Sequence, residues 1–159
     1  MIIFKDIASG DEMFTDAYKM EIMDQFYKVY GKIERAFGAN PSAEELGDEC
    51  DTNAVSGVDI VVANRLVETS FTKKSYKNYI AAYMKKILSK LPEDQHASFK
   101  SSAQKAVQFI LSKFDDWQFF QGESMDPDGM VAFLEYVDDG GTSKPYMLFF
   151  KDGLKEERL

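Results

Sequence analysis

The chain has 159 residues, 45% of them apolar with 13 Phe and 8 Tyr, enough to fill the core of one domain. Its formal net charge of −8 would repel a polyanion and argues against general nucleic-acid or DNA binding. The one cysteine, Cys50, excludes an internal disulfide and a zinc cluster, and no apolar run reaches signal-peptide or membrane-span length, so a cytoplasmic protein is expected.

Residues 2–7 alternate weakly and read as a first strand, followed by an acidic, turn-like segment over residues 11–16. Tyr27, Val29, Ile33 and Phe37 recur on odd positions around Gly31, which suggests a strand over Tyr27 to Phe37. Tyr18, Ile22, Phe26 and Val29 also fit helical spacing, so a helix over 17–30 competes. Residues 38–56 carry few large apolar side chains and many acids, too little buried surface to offset the ordering of a backbone. They read as a mobile acidic loop inserted in the domain. Val58-Asp59-Ile60-Val61-Val62 resumes a strand.

Tyr76, Tyr79, Ile80, Tyr83, Met84, Ile87, Leu88 and Leu91 follow the i, i+3, i+4, i+7 spacing of an amphipathic helix. Thr72 is its expected N-cap, with Phe71 and Tyr76 placed for a hydrophobic staple. Pro92 ends it, and Glu93 and Asp94 suit the first turn of a second helix, whose stripe is Phe99, Ala103, Ala106, Val107, Ile110, Leu111 and Phe114. Two amphipathic helices with so short a joint form an antiparallel hairpin over residues 72–114. Strands return over 117–121, 130–137 and 145–151, with Asp138-Asp139-Gly140-Gly141 as the turn between the last two. Strands, two helices, then strands make an α+β domain.

The charge is unevenly spread. Residues 72–113 hold nine Lys against two acids, whereas 1–56 hold five basic residues against twelve acidic and 114–159 hold four against eleven. A basic island in an acidic chain points to a surface for acidic partners, with Lys74, Lys85, Lys86 and Lys105 on the polar side of the hairpin as candidates. Lys73 and Lys74 fall in a helix's first turn, where positive charge opposes the dipole by roughly 0.3–1 kcal/mol per group. The simpler reading is a solvated helical face.

Catalytic chemistry is sparse. Ser124, Asp126, Asp128, Gly129, Val131 and Glu135 fall at positions 1, 3, 5, 6, 8 and 12 of a calcium loop. Serine at the first position, Pro127 in the middle and strand-like flanks favour an Asp-Pro-Asp-Gly turn instead. A weak calcium site of surface carboxylates remains the expectation, with Asp126, Asp128 and Glu135 as candidates. His96 has no nucleophile motif beside it, Cys50 sits among acids that disfavour a thiolate, and the glycines form neither a phosphate loop nor a dinucleotide fingerprint. Asp115-Asp116 and Glu156-Glu157 read as solvated ends. No enzyme and no cofactor beyond weakly held calcium are expected.

Gly38-Ala39-Asn40-Pro41-Ser42-Ala43-Glu44 and the stretch from Phe114 through Gly122-Glu123 and Asp128-Gly129-Met130-Val131-Ala132 to Tyr136 look like the two signature regions of the translationally controlled tumour protein family. Further similarity at 1–6, 11–14, 58–61, 68–73 and 146–154 extends the resemblance over essentially the whole chain. The resemblance implies a small tent-like mixed β core with a protruding antiparallel two-helix hairpin and a long flexible acidic loop. That fold is similar to a Rab-binding exchange factor and to methionine sulfoxide reductases, whose cysteines this chain lacks. The resemblance further implies binding and stabilisation of microtubules, weak calcium binding, association with the ribosome or translation factors, growth control, and contact with a Ras-related small GTPase. The family's tubulin-binding region matches residues 72–113, and the acidic residue tied to GTPase contact matches Glu12. Gln121 stands where the family usually has an apolar or small residue, and the chain ends without the cysteine of many animal members.

Together these describe a cytoplasmic, partly cytoskeleton-associated, non-enzymatic protein whose hairpin lysines dock onto acidic tails such as those of tubulin. A regulator of a Ras- or Rab-type GTPase, acting as exchange factor or chaperone through Glu12, is the alternative. A reductase would depend on Cys50 alone.

Overall fold

The computed structural model describes residues 1–34 and 57–159. In chain order the elements are β1 (Ile2–Asp6), β2 (Glu12–Thr15), β3 (Met20–Met23), β4 (Phe26–Tyr30), β5 (Ile33–Glu34), β6 (Gly57–Val58), α1 (Asp59–Ala63), β7 (Val67–Thr69), α2 (Lys73–Lys90), α3 (His96–Ser112), β8 (Gln118–Gln121), β9 (Val131–Asp139), β10 (Thr142–Phe150) and β11 (Leu154–Arg158). The strands pair antiparallel in three sheets: β11-β1-β2, β3-β4-β10-β9-β8-β7, and the short ladder β5-β6. This is the α+β class the sequence implies, with the two long helices between runs of strands.

The core sits on both faces of the six-stranded sheet. Val131–Leu134 in β9 and Tyr146–Phe150 in β10 are buried at every position, which requires cover on both sides. One cover is the three-stranded sheet, where Phe4 stacks on Phe14 at 4.4 Å between ring centroids and Phe14 meets Phe149 at 4.5 Å. The other is the helical layer, where Phe133 receives Tyr76 at 6.1 Å and Trp117 at 5.8 Å. Each such ring contributes about 1.5–3 kcal/mol by leaving water. Gly140 and Gly141 take φ of 62° and 86° at the β9–β10 turn, the left-handed pair that a two-residue hairpin of this register demands.

The helical hairpin forms as its periodicity implies. The Thr72 hydroxyl accepts from the Ser75 amide at 3.1 Å and the Ser75 hydroxyl accepts from the Thr72 amide at 2.9 Å, a reciprocal cap. Phe71 and Tyr76 meet at 5.7 Å as a staple. Helix α2 buries Tyr76, Ile80, Tyr83 and Ile87, and α3 buries Phe99, Ala103, Ala106 and Ile110. His96 donates through Nε2 to the Leu91 carbonyl at 2.9 Å and closes the joint. No side chain from 88 to 98 is fully buried, and Leu88 and Leu91 are the partly buried residues of this stretch that still pack against the core.

Several elements differ from the sequence reading. The acidic segment 11–16 is strand β2 rather than a turn. A bulge opposite Phe4 and Lys5 lets the adjacent Met13 and Phe14 both turn inward, which hides the alternation of a strand. Residues 17–30 contain no helix but the hairpin β3–β4, with Asp24 at φ 54° in its turn. Residues 59–62 are not a strand. The Asp59 carboxylate accepts from the amides of Lys32 and Ile60, both at 2.8 Å, and starts the one-and-a-half-turn α1, too short for a helical period to show. Glu93 and Asp94 lie in a 3₁₀ turn before α3 rather than in its first turn. Trp117 precedes β8, its indole N–H donating to the Ile110 carbonyl at 3.2 Å. Glu156-Glu157 is not a solvated end but part of β11, which pairs with β1 along its length and places Glu157 2.8 Å from Lys5. The mostly charged β11 is held by its ladder more than by packing, so it leaves no apolar pattern. Strand β7 has only three residues, too few for an alternation to show. The acidic segment 38–56 and the end of the stretch Tyr27 to Phe37 lie outside the described residues.

Candidate interaction surface

What fixes α2 against the sheets is a carboxylate that sequence reasoning passed over. Asp6, at the end of β1, is 2% exposed. It accepts from the amides of Ala8 (3.1 Å), Ser9 (3.2 Å) and Met130 (2.7 Å), and from the hydroxyls of Ser9 (2.6 Å) and Tyr83 (3.0 Å). Five donors replace the water the charge has lost. Gly129 beside it admits the carboxylate, since a Cβ there would stand 2.9 Å from Oδ2. Burial, and then the charge of Asp6, pushes the Tyr83 phenol well above the usual tyrosine range, so it stays a donor. Tyr79 donates to the Gly129 carbonyl at 2.6 Å. The loop before β9, the end of β1 and the first half of α2 are thereby tied together. The only signal for this was a lone acid at the end of an apolar strand.

The hairpin also carries the lysines. Of its nine, Lys113 pairs with Glu135 at 2.8 Å. Lys73, Lys74, Lys77, Lys85, Lys86, Lys90, Lys100 and Lys105 have no carboxylate within 4.0 Å among the described residues. All eight are exposed except Lys86, which is half-buried. The charge is not cancelled by the described carboxylates.

The four lysines singled out from sequence do not share one face. Lys74 and Lys85 lie with Lys77 along one stripe of α2, at helical spacing. Lys86, turned about 100° from Lys85, lines a recess with Tyr79, Tyr83, Pro127 and Asp128. Lys105 is exposed on α3 and does not line that recess. Lys77 and Lys100, not singled out, join Lys85 at a groove between α2 and α3, Lys77 on the same side as Lys85 and Lys100 across from it. They were missed because facing positions on two helices cannot be matched without the hairpin's register.

Glu12 is exposed on β2 at the mouth of a polar recess of about 590 Å³ shared with Asp11, Asn64, Arg65, Glu123 and Ser124. Arg65 approaches Glu123 at 3.4 Å, and Asp11 accepts from the Ser124 hydroxyl at 2.6 Å, an approach open only because Gly122 has no Cβ. The calcium candidates do not converge. Asp126 caps the Asp128 amide at 2.9 Å, while Glu135 on β9 is held by Lys113 and by the Tyr146 hydroxyl. Among the described residues no group of three or more acids, histidines or cysteines is placed to hold a metal. No helix of the described residues is long and apolar enough to cross a membrane.

A family model described as "Translationally controlled tumour protein" matches residues 1–155. This chain belongs to the translationally controlled tumour protein family. Homologues of that protein from Branchiostoma belcheri (48% identical, covering 100% of both chains), Drosophila pseudoobscura pseudoobscura (51%, 99% of each) and Bombyx mori (51%, 100% of each) align from end to end. The translationally controlled tumour-associated protein of Schizosaccharomyces pombe superposes with a TM-score of 0.80 at 39% identity over 100% of both chains. The solution structure of the Caenorhabditis elegans protein gives 0.77 at 31% identity, over 100% of this chain and 99% of that one. The two-helix hairpin and the sheets described above are therefore the architecture of the translationally controlled tumour protein family.

Proposed function

We propose that this member of the family is a non-enzymatic docking protein whose α2–α3 hairpin binds acidic partners, with the acidic tails of tubulin as the chief target. The observation that carries this is the set of eight hairpin lysines with no carboxylate partner among the described residues. Unpaired exposed amines on a rigid helical frame attract an anionic tail without first breaking an internal ion pair. The resemblance to the family adds a link to protein synthesis and growth control to this reading. His96 is engaged with a backbone carbonyl, which supports a non-catalytic role. Co-pelleting with microtubules tests the reading: binding should fall steeply between low salt and ~0.2 M, and the combined change of Lys74, Lys85, Lys86 and Lys105 to Glu should abolish it. Salt-independent pelleting would falsify it.

A second reading, regulation of a Ras- or Rab-type GTPase, is favoured by the exposed Glu12 beside its polar recess. A carboxylate presented from a strand edge can compete for the magnesium or phosphate contacts of a bound nucleotide. Nucleotide release from the GTPase, with the wild-type chain and with Glu12→Val, decides it. Equal rates with and without the chain end this reading.

A further inference from the structure

The groove between α2 and α3 is a different kind of feature from the lysines around it. Its volume is about 400 Å³, and its walls are Ile80, Met84 and Leu88 from α2 and Phe99, Ala103 and Val107 from α3. Ala81 and Ala103 leave the gap where larger side chains would close it. Lys77, Lys85 and Lys100 stand on its rim, and among the described residues no carboxylate lines it. An apolar trough edged by free cations is complementary to a helix with an apolar stripe and acidic flanks.

We infer that this groove seats an amphipathic, acidic α-helix of a partner protein, its Leu- or Phe-type side chains at i, i+3, i+4 and i+7 entering the trough and its carboxylates meeting Lys77, Lys85 and Lys100. The wall on α2 runs from Lys77 to Leu88, roughly 16 Å at 1.5 Å per residue, which matches three turns of a bound helix. A second hairpin of this chain is disfavoured as occupant, because it would bring like charges together. The inference rests on the reading of the hairpin as a docking surface for acidic partners and adds an apolar requirement to it. Charge alone would serve an extended acidic tail, whereas the trough rewards only a partner that presents its apolar side chains on one face.

The test uses the full chain and two fluorescein-labelled Leu/Glu peptides of about four helical turns. One has Leu on a single face, and the other has the same composition and charge with Leu distributed around the helix. Anisotropy titrations should show the one-faced peptide binding roughly tenfold tighter. Ala81→Trp, at an exposed position where bulk is tolerated by the fold, should fill the trough and erase that preference while leaving the weaker binding of the second peptide and the pelleting with microtubules unchanged. Replacing Lys77, Lys85 and Lys100 with Gln should weaken both peptides. Equal affinity for the two peptides, or a preference that survives Ala81→Trp, overturns the groove while leaving the charge-based docking standing. If neither peptide binds, the groove reading is overturned as well. A retained peptide preference beside salt-independent pelleting supports the groove and removes the tubulin reading instead.

Discussion

The two sides of helix α2 handle charge in opposite ways. On the inner side one carboxylate, Asp6, is buried, has no ion-pair partner among the described residues and is satisfied by five hydrogen bonds. On the outer side a row of amines has no partner among the described residues. Burial makes an unsatisfied charge expensive, so the inner side had to be completed by the chain itself. Water solvates the outer side at little cost, which leaves its charge available to another molecule. Internal satisfaction therefore marks what holds this fold, and its lack marks where a partner is to be sought.

Removing the inner charge should have the largest effect. Asp6→Ala leaves the Met130 amide and its neighbours without an acceptor, and should cost about 3 kcal/mol or more in urea unfolding. A loss under about 1 kcal/mol would show that water replaces the carboxylate and that the inner side is not the tie described here.

High pH is the next lever. Burial raises the phenols of Tyr76, Tyr79 and Tyr83 above the ordinary tyrosine value. Above pH ~10 the unfolded chain releases these protons while the folded chain keeps them, so the unfolded state binds fewer. Stability is then fully present below that pH and falls as pH rises, by up to about 1.4 kcal/mol per unit per group. Urea midpoints at about pH 8 and about pH 11 measure it, and an unchanged midpoint contradicts the burial of these hydroxyls.

A finer contrast lies between two tyrosines about two turns apart on the same buried face of α2. The Tyr83 hydroxyl donates to Asp6, whereas the Tyr76 hydroxyl, equally buried, has no hydrogen-bond partner among the described residues. Tyr83→Phe should cost about 1–2 kcal/mol, and Tyr76→Phe should be neutral or stabilise by up to about 1 kcal/mol. Equal losses at both positions would mean that the Tyr76 hydroxyl has found a partner.

How much of this could be read beforehand depended on period and range. The hairpin was legible because α2 and α3 each run long enough for a 3.6-residue stripe to repeat, and because Thr72 and Pro92 punctuate it. The β9–β10 turn was legible from its two glycines. Strand β2 was not, since its bulge turns Met13 and Phe14 to the same side. Strand β11 was not, since charged residues give no alternation, and α1 was not, since Ile60-Val61-Val62 carries β-type side chains in too few residues. At the candidate surface the net charge of the hairpin was visible, but its facing was not. Lys85 and Lys86 are neighbours in sequence and point apart, whereas Lys77 and Lys100 are distant and share a rim. Asp6 depends on partners up to 124 residues away, which no local pattern reports.

The smallest expected effect separates docking from folding most directly. Lys74 is the second residue of α2, where no acid offsets its charge against the helix dipole. Lys74→Glu should therefore raise stability by about 0.3–1 kcal/mol, because a carboxylate at that end meets the exposed amides of the first turn. The same change removes one contact to an acidic partner and adds a repulsion, so microtubule pelleting should weaken as the melting temperature rises. A positive charge kept where it costs stability, and whose removal costs binding, is the signature of a residue placed for a partner. Should Lys74→Glu lower the melting temperature, the lysine serves the fold and its place in the docking surface is lost.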